Sequence, residues 1–183
     1  MNIFEAIKKF FVMTDEKSPK VSEKQGIKEF FSQPGGGMKL TFKKLNKNAI
    51  IPTRATRTSA GLDLYACLDE PVVLGVGEIK MIPLGLTAEP DRENVALLVY
   101  PRSGLSAKFG VSLANCVGVV DSDYRGEWFV PLINHGKVPF TVEHGMRIAQ
   151  LVISEVLFPE IAESDELTET ERGKGGFGSS GIR

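Results

Sequence analysis

Two cysteines, one tryptophan and two histidines in 183 residues leave several chemistries without material. Cys67 and Cys116 cannot build a disulfide framework or a zinc cluster, and they read as small buried apolar residues in a reducing compartment. His135 and His144 fall on no motif and read as strand-end surface residues rather than ligands. Apolar runs are short. None approaches the ~20 residues of a membrane-spanning helix, and the first residues lack a signal peptide's apolar stretch and cleavage site. An excess of one charge is missing too. Lys and Arg number 22 against 23 Asp and Glu, a net of −1, so no global field draws the chain to nucleic acid or anionic membranes. Any anion site must be built locally. The expectation is a cytoplasmic protein, nuclear or organellar in a eukaryote, with no membrane attachment and no stable nucleic-acid binding.

What is present changes character at residue 38. Residues 1–37 are rich in Lys and Glu and end in Gln33-Pro34-Gly35-Gly36-Gly37, a linker by composition. Residues 38–160 carry short apolar runs, among them Leu40–Leu45, Leu62–Ala66, Ile79–Leu84, Val95–Tyr100, Val117–Val120, Trp128–Ile133 and Ile148–Val156. Val and Ile dominate them, and Gly, Pro, Asn or Asp punctuate roughly every 8–15 residues. No helical period runs through this stretch, and a short helical turn is expected only near Ser103–Phe109. The pattern predicts an all-β domain, a jelly-roll-like sandwich or barrel. Residues 161–183 begin acidic and polar and form a strap that leads into a glycine-rich arm.

The N-terminal segment contains an internal echo. Ile7-Lys8-Lys9-Phe10-Phe11 recurs as Ile27-Lys28-Glu29-Phe30-Phe31, each a short amphipathic helix candidate, so this extension is expected to be helical or disordered. Residues 24–31, Lys24-Gln25-Gly26-Ile27-Lys28-Glu29-Phe30-Phe31, also resemble a degenerate sliding-clamp-binding peptide, with Lys where that motif usually begins with Gln.

The densest chemistry lies in Arg172-Gly173-Lys174-Gly175-Gly176-Phe177-Gly178-Ser179-Ser180-Gly181, where five glycines meet two basic residues and one aromatic ring. Glycines let backbone approach a ligand closely. Their N–H groups, two serine hydroxyls and a guanidinium suit a phosphate, and Phe177 suits a flat base. The same composition also describes a disordered tail. A Walker-type loop fits less well, because Ser179 stands where that motif needs lysine.

Four further clusters decide between these readings. They are Ser59-Ala60-Gly61-Leu62-Asp63-Leu64-Tyr65-Ala66, Pro101-Arg102-Ser103-Gly104-Leu105-Ser106, the run Asn115 to Glu127 (NCVGVVDSDYRGE), and Gly145 to Val152 (GMRIAQLV). With the arm, in this order and spacing, they resemble the five motifs of the trimeric dUTP diphosphatase (dUTPase) family over about residues 38–183. That resemblance implies a jelly-roll-like subunit, a homotrimer whose active sites draw on all three chains, and an arm that closes on a neighbour's site. It implies dUTP as substrate and Mg²⁺ as cofactor. Asn115 and the hairpin around Val119 would hold the uracil, and Tyr124 would lie beneath the deoxyribose. Arg102, Ser103, Gly104 and Gln150 would contact the phosphates. Arg172, Ser179 and Ser180 would reach the γ-phosphate, with Phe177 and Gly178 closing over the base. Asp121 would be the catalytic carboxylate. Asp63 would touch the hydrated metal ion through water. Arg147 matches a family position, and either a structural ion pair or a ligand contact fits it. Two rivals stay open. A dCTP deaminase-type enzyme needs a proton-shuttling glutamate, for which Glu127 is the nearby candidate. A nucleotide-binding regulatory protein would keep the fold without turnover.

Overall fold

The computed structural model describes residues 37–176. The peptide-like segment 24–31 and the arm residues Phe177, Gly178, Ser179 and Ser180 lie outside the described residues. Eleven strands and one helix follow in order: β1 (Leu40–Lys44), β2 (Leu62–Tyr65), β3 (Val72–Leu74), β4 (Ile79–Pro83), β5 (Leu86–Pro90), β6 (Val95–Pro101), α1 (Ser103–Phe109), β7 (Val111–Leu113), β8 (Gly118–Val120), β9 (Phe129–Asn134), β10 (Phe140–Val142) and β11 (Arg147–Glu155). They form a four-stranded sheet in the order β2-β11-β6-β8, a three-stranded sheet β4-β9-β7, and the pairs β1-β5 and β10-β3. All these pairings are antiparallel. Among the described residues the all-β reading holds, as does the helix expected at Ser103–Phe109.

The core lies between the sheets. Leu64, Leu97, Ile148 and Leu151 come from the four-stranded sheet, Ile82, Val111, Val130 and Leu132 from the three-stranded one, and each is at most 1% exposed. Burying a Leu, Ile or Val side chain contributes about 1.5–3 kcal/mol, so these contacts, not strand propensity, fix which face of each strand points inward. Asn134 is fully buried at the end of β9, yet all its polar atoms are used. Its Nδ2 donates to Leu74 O at 3.0 Å and Val138 O at 2.9 Å, and its Oδ1 accepts from Gly136 N at 2.8 Å. A buried amide with every group paired is stabilising and ties β9 to β3.

Four strands escape the sequence pattern: β3, β5, β7 and β10. Three of them are only three residues long, too short to show alternation. β5, LTAEP, carries weak strand formers and is held by pairing with β1. Beyond β11 the described chain has no strand, and Leu157 and Phe158 before the strap and Ile161 and Leu167 on it stand 73–92% exposed.

Candidate active site

The four-stranded sheet brings three of the sequence clusters together. On β11, Gln150 pairs on one side with Asp63 of β2 and on the other with Tyr100 of β6. Pro101 ends β6, Arg102 caps α1 in an extended conformation, and Ser103 starts the helix. Three segments far apart in sequence therefore deliver Asp63, Arg102, Ser103, Gly104 and Gln150 to one cavity of about 340 Å³.

Charge inside this cavity is arranged around Asp63, whose side chain is only 11% exposed. Its Oδ1 meets Arg102 Nε at 3.0 Å and its Oδ2 meets Arg147 Nη1 at 3.2 Å. Arg102 Nη1 also donates to Arg147 O at 3.3 Å. Arg147, ambiguous in the sequence, is thus an ion-pair partner of Asp63, and it still has half of its side chain exposed. Gln150 donates from Nε2 to Pro101 O at 2.9 Å, and it packs so closely on Gly61 that a Cβ there would lie 2.8 Å from Gln150 Oε1. A side chain at 61 would push the Gln150 carboxamide from its place. Ser59, Ala60 and Gly61 of the first cluster complete the wall with Ala55, the one lining residue outside the clusters. Arg54 donates to Ser59 O and to Ala60 O, holding the 59–60 loop in place.

The hairpin of the third cluster sits elsewhere. β8 is the edge strand beside β6, with Val99 opposite Gly118 and Leu97 opposite Val120. Gly118 is packed on Val99, since a Cβ there would sit 3.2 Å from Val99 Cβ and 3.3 Å from Asn115 Nδ2. The turn into β8 bends at Cys116, the one non-glycine residue with positive φ (60°) among the described residues. Such a conformation is uncommon for a side-chain-bearing residue and marks a turn that its surroundings hold in shape. Cys116 is exposed, against the expectation that both cysteines are buried, because the turn projects it outward. Cys67 is buried as expected, and its thiol is pushed up, first by burial and then by the Asp69 and Glu127 carboxylates. Val119 and Asp121 line a second, larger cleft of about 1100 Å³. Asn115 and Tyr124 are exposed and line neither cavity.

Antiparallel register separates the two cavities. Val120 faces Leu97, while Arg102 follows five residues later. At ~3.3 Å per strand residue this is roughly 17 Å. Asp121 and Arg102 of one chain therefore open onto different cavities. Arg172 is described but lines neither; its Nε donates to Gly175 O at 2.9 Å within a tight turn.

A profile of the dUTPase family matches residues 47–181, which includes every cluster named above. The chain belongs to the dUTPase family. A deoxyuridine 5'-triphosphate nucleotidohydrolase of Desulfitobacterium hafniense is 46% identical over 145 residues, 79% of this chain and 96% of the relative. The protein of the same name from Coxiella burnetii is 47% identical over 144 residues, 79% of this chain and 95% of the relative. Among solved structures, a Staphylococcus bacteriophage 80alpha dUTPase with dUPNHPP superposes with a TM-score of 0.72 at 30% identity, covering 79% of this chain and 99% of its own. The matched segment includes the cluster residues of both cavities. No helix among the described residues is long and apolar enough to cross a membrane.

Proposed function

We propose that the chain hydrolyses dUTP to dUMP and pyrophosphate, in the cytoplasm, as a homotrimer whose sites combine segments of different chains. The observation that carries this reading is the convergence of Asp63, Arg102, Ser103, Gly104 and Gln150 on one cavity, with the Val119–Asp121 hairpin displaced from it by the sheet register. A phosphate cradle and a catalytic carboxylate that one chain holds apart can meet only across a contact between copies. Closed cyclic symmetry repeats such a contact identically at each site. The exposed apolar residues of the strap favour the same arrangement, because a second copy would remove them from water.

In the assembled site the uracil would lie along the edge strand β8, whose outer backbone groups can read its carbonyls and N3–H. Cytosine presents the opposite donor and acceptor pattern and would leave those groups unpaired. Exclusion of the thymine methyl would come from a clash with the hairpin, since an attractive pocket gains only about 1–3 kcal/mol from one methyl. Arg102, Ser103 and Gly104 would hold the phosphate chain, with Gln150 fixing the Pro101 carbonyl that leads into it. Arg172, Phe177, Gly178, Ser179 and Ser180 would close over the nucleotide as a lid. Asp121 would orient a water molecule and accept its proton as the oxygen attacks the α-phosphorus. The bond from that phosphorus to the bridging oxygen breaks, and pyrophosphate leaves.

Among the described residues no group of three or more His, Cys, Asp or Glu side chains is gathered as a metal cage. This donor set suits Mg²⁺, which keeps most of its waters and binds through substrate phosphates with few protein ligands. Asp121, and Asp63 through a water, are the carboxylates that would face it, and the ion would supply charge neutralisation on the phosphate oxygens. A deaminase role for Glu127 is disfavoured by its contact: its Oε1 accepts from the Gly85 backbone N–H at 3.1 Å and is committed to the scaffold.

Pyrophosphate release should be measured with dUTP, dTTP, dCTP and UTP in the presence of Mg²⁺. Turnover of dUTP alone is expected. Ammonia release from dCTP would establish the deaminase instead, and nucleotide binding without any turnover would establish a regulatory protein.

A further inference from the structure

Tyr124 follows the Asp121–Asp123 turn, and its ring has one fixed side. A Cβ at Gly126 would lie 2.6 Å from Tyr124 Cζ, so the ring rests directly on the Gly126 backbone. Its hydroxyl donates to Glu127 O at 3.2 Å. The ring is otherwise 46% exposed, so its position depends on this one short stretch of chain.

That stretch is itself tied to a rigid post. Glu127 Oε1 accepts from Gly85 N at 3.1 Å, Trp128 N donates to Leu86 O at 3.0 Å, and Leu84 N donates to Trp128 O at 2.9 Å. Gly85 cannot shift. Its φ is +65°, a Cβ would come within 2.7 Å of Cys67 Sγ, and its carbonyl accepts from both Leu45 N and Asn46 N.

We infer that Glu127 is a positioning residue for sugar discrimination: by gripping the Gly85 N–H it fixes the carbonyl and the Gly126 surface that immobilise the Tyr124 ring. The inference rests on the proposed reading that Tyr124 underlies the deoxyribose. Exclusion of a 2′-hydroxyl by a clash works only if the clashing ring cannot yield. A ring on an exposed turn would swing aside, and Glu127 removes that freedom without touching the nucleotide.

The test is the ratio of kcat/KM for UTP to that for dUTP in the full-length protein, with melting temperature followed in parallel. Glu127→Ala and Glu127→Asp, whose shortened side chain falls short of Gly85, are expected to raise the ratio about tenfold, the worth of one lost hydrogen bond. Glu127→Gln retains an acceptor and is expected to keep the parent ratio. Tyr124→Ala serves as the reference for the sugar reading and should raise the ratio further. A raised ratio in Tyr124→Ala with an unchanged ratio in both shortened variants overturns the role of Glu127 alone. An unchanged ratio in Tyr124→Ala overturns the sugar reading and this inference with it. If Glu127→Ala does not fold, Glu127→Asp carries the test, and an equal loss on both substrates makes the residue merely structural.

Discussion

Asp121→Asn is expected to lower kcat for dUTP by about 10²–10⁴-fold while KM stays within a few-fold of the parent. Asn preserves the shape of the side chain and a hydrogen-bonding oxygen, so a water can still be oriented. It cannot accept the proton that this water must lose as its oxygen attacks phosphorus. The carboxylate is exposed on the wall of the larger cleft and has no ion-pair partner among the described residues, so the substitution removes no structural contact. Its melting temperature should therefore be unchanged. Steady-state kinetics with calorimetric binding of a non-hydrolysable dUTP analogue separates the cases. Loss of binding in step with kcat would make Asp121 a substrate-holding group and leave the base unassigned.

Asp63→Asn should have the second largest effect, and of a different kind. The native carboxylate stands between two guanidinium groups in a mostly buried position. Neutralising it leaves Arg102 and Arg147 with like charges and no partner. Loss of one member of a buried pair costs about 3–5 kcal/mol, and the partial exposure of both arginines should reduce this to roughly half. A fall of several degrees in melting temperature is expected, together with a rise in KM of about ten- to a hundredfold as Arg102 leaves its aim at the phosphates. Inhibition by inorganic pyrophosphate in EDTA gives the deciding measurement. Weakened inhibition without any metal ion places the role of Asp63 in holding the arginines. A defect seen only when Mg²⁺ is titrated would place it at the ion's water shell.

The clusters that line the two cavities could be picked out in the sequence through their resemblance to the family's motifs, and close backbone packing accounts for some of their glycines. Gly61 packs closely on Gln150, Gly118 packs closely on Val99, and Asp121 opens the turn that follows β8. The long strands β6 and β11 were equally plain, since each carries a run of buried apolar residues, Val95 to Leu97 with Val99 in β6 and Ile148, Ala149 and Leu151 in β11. The short strands β3, β7 and β10 were not, because three residues carry too little pattern. A structural ion pair was one of two readings of Arg147, but its partner was illegible for another reason. Arg147 lies 84 positions from Asp63, and nothing local in either segment announces that β2 and β11 will be neighbours. Glu127 was visible only as a candidate acid, since its actual partner is a backbone N–H in a distant loop.

The register of β8 against β6, which puts Asp121 and Arg102 on separate cavities, has a genetic consequence. A chain damaged at one of these residues still carries an intact copy of the other. Subunits bearing Asp121→Asn and subunits bearing Arg102→Ala, each inactive as pure assemblies, should regain turnover when unfolded and refolded together. In the proposed homotrimer with shared sites, some contacts of the mixed oligomers then pair a sound hairpin with a sound phosphate cradle. Two broken alleles of this gene, expressed in one cell, would rescue each other.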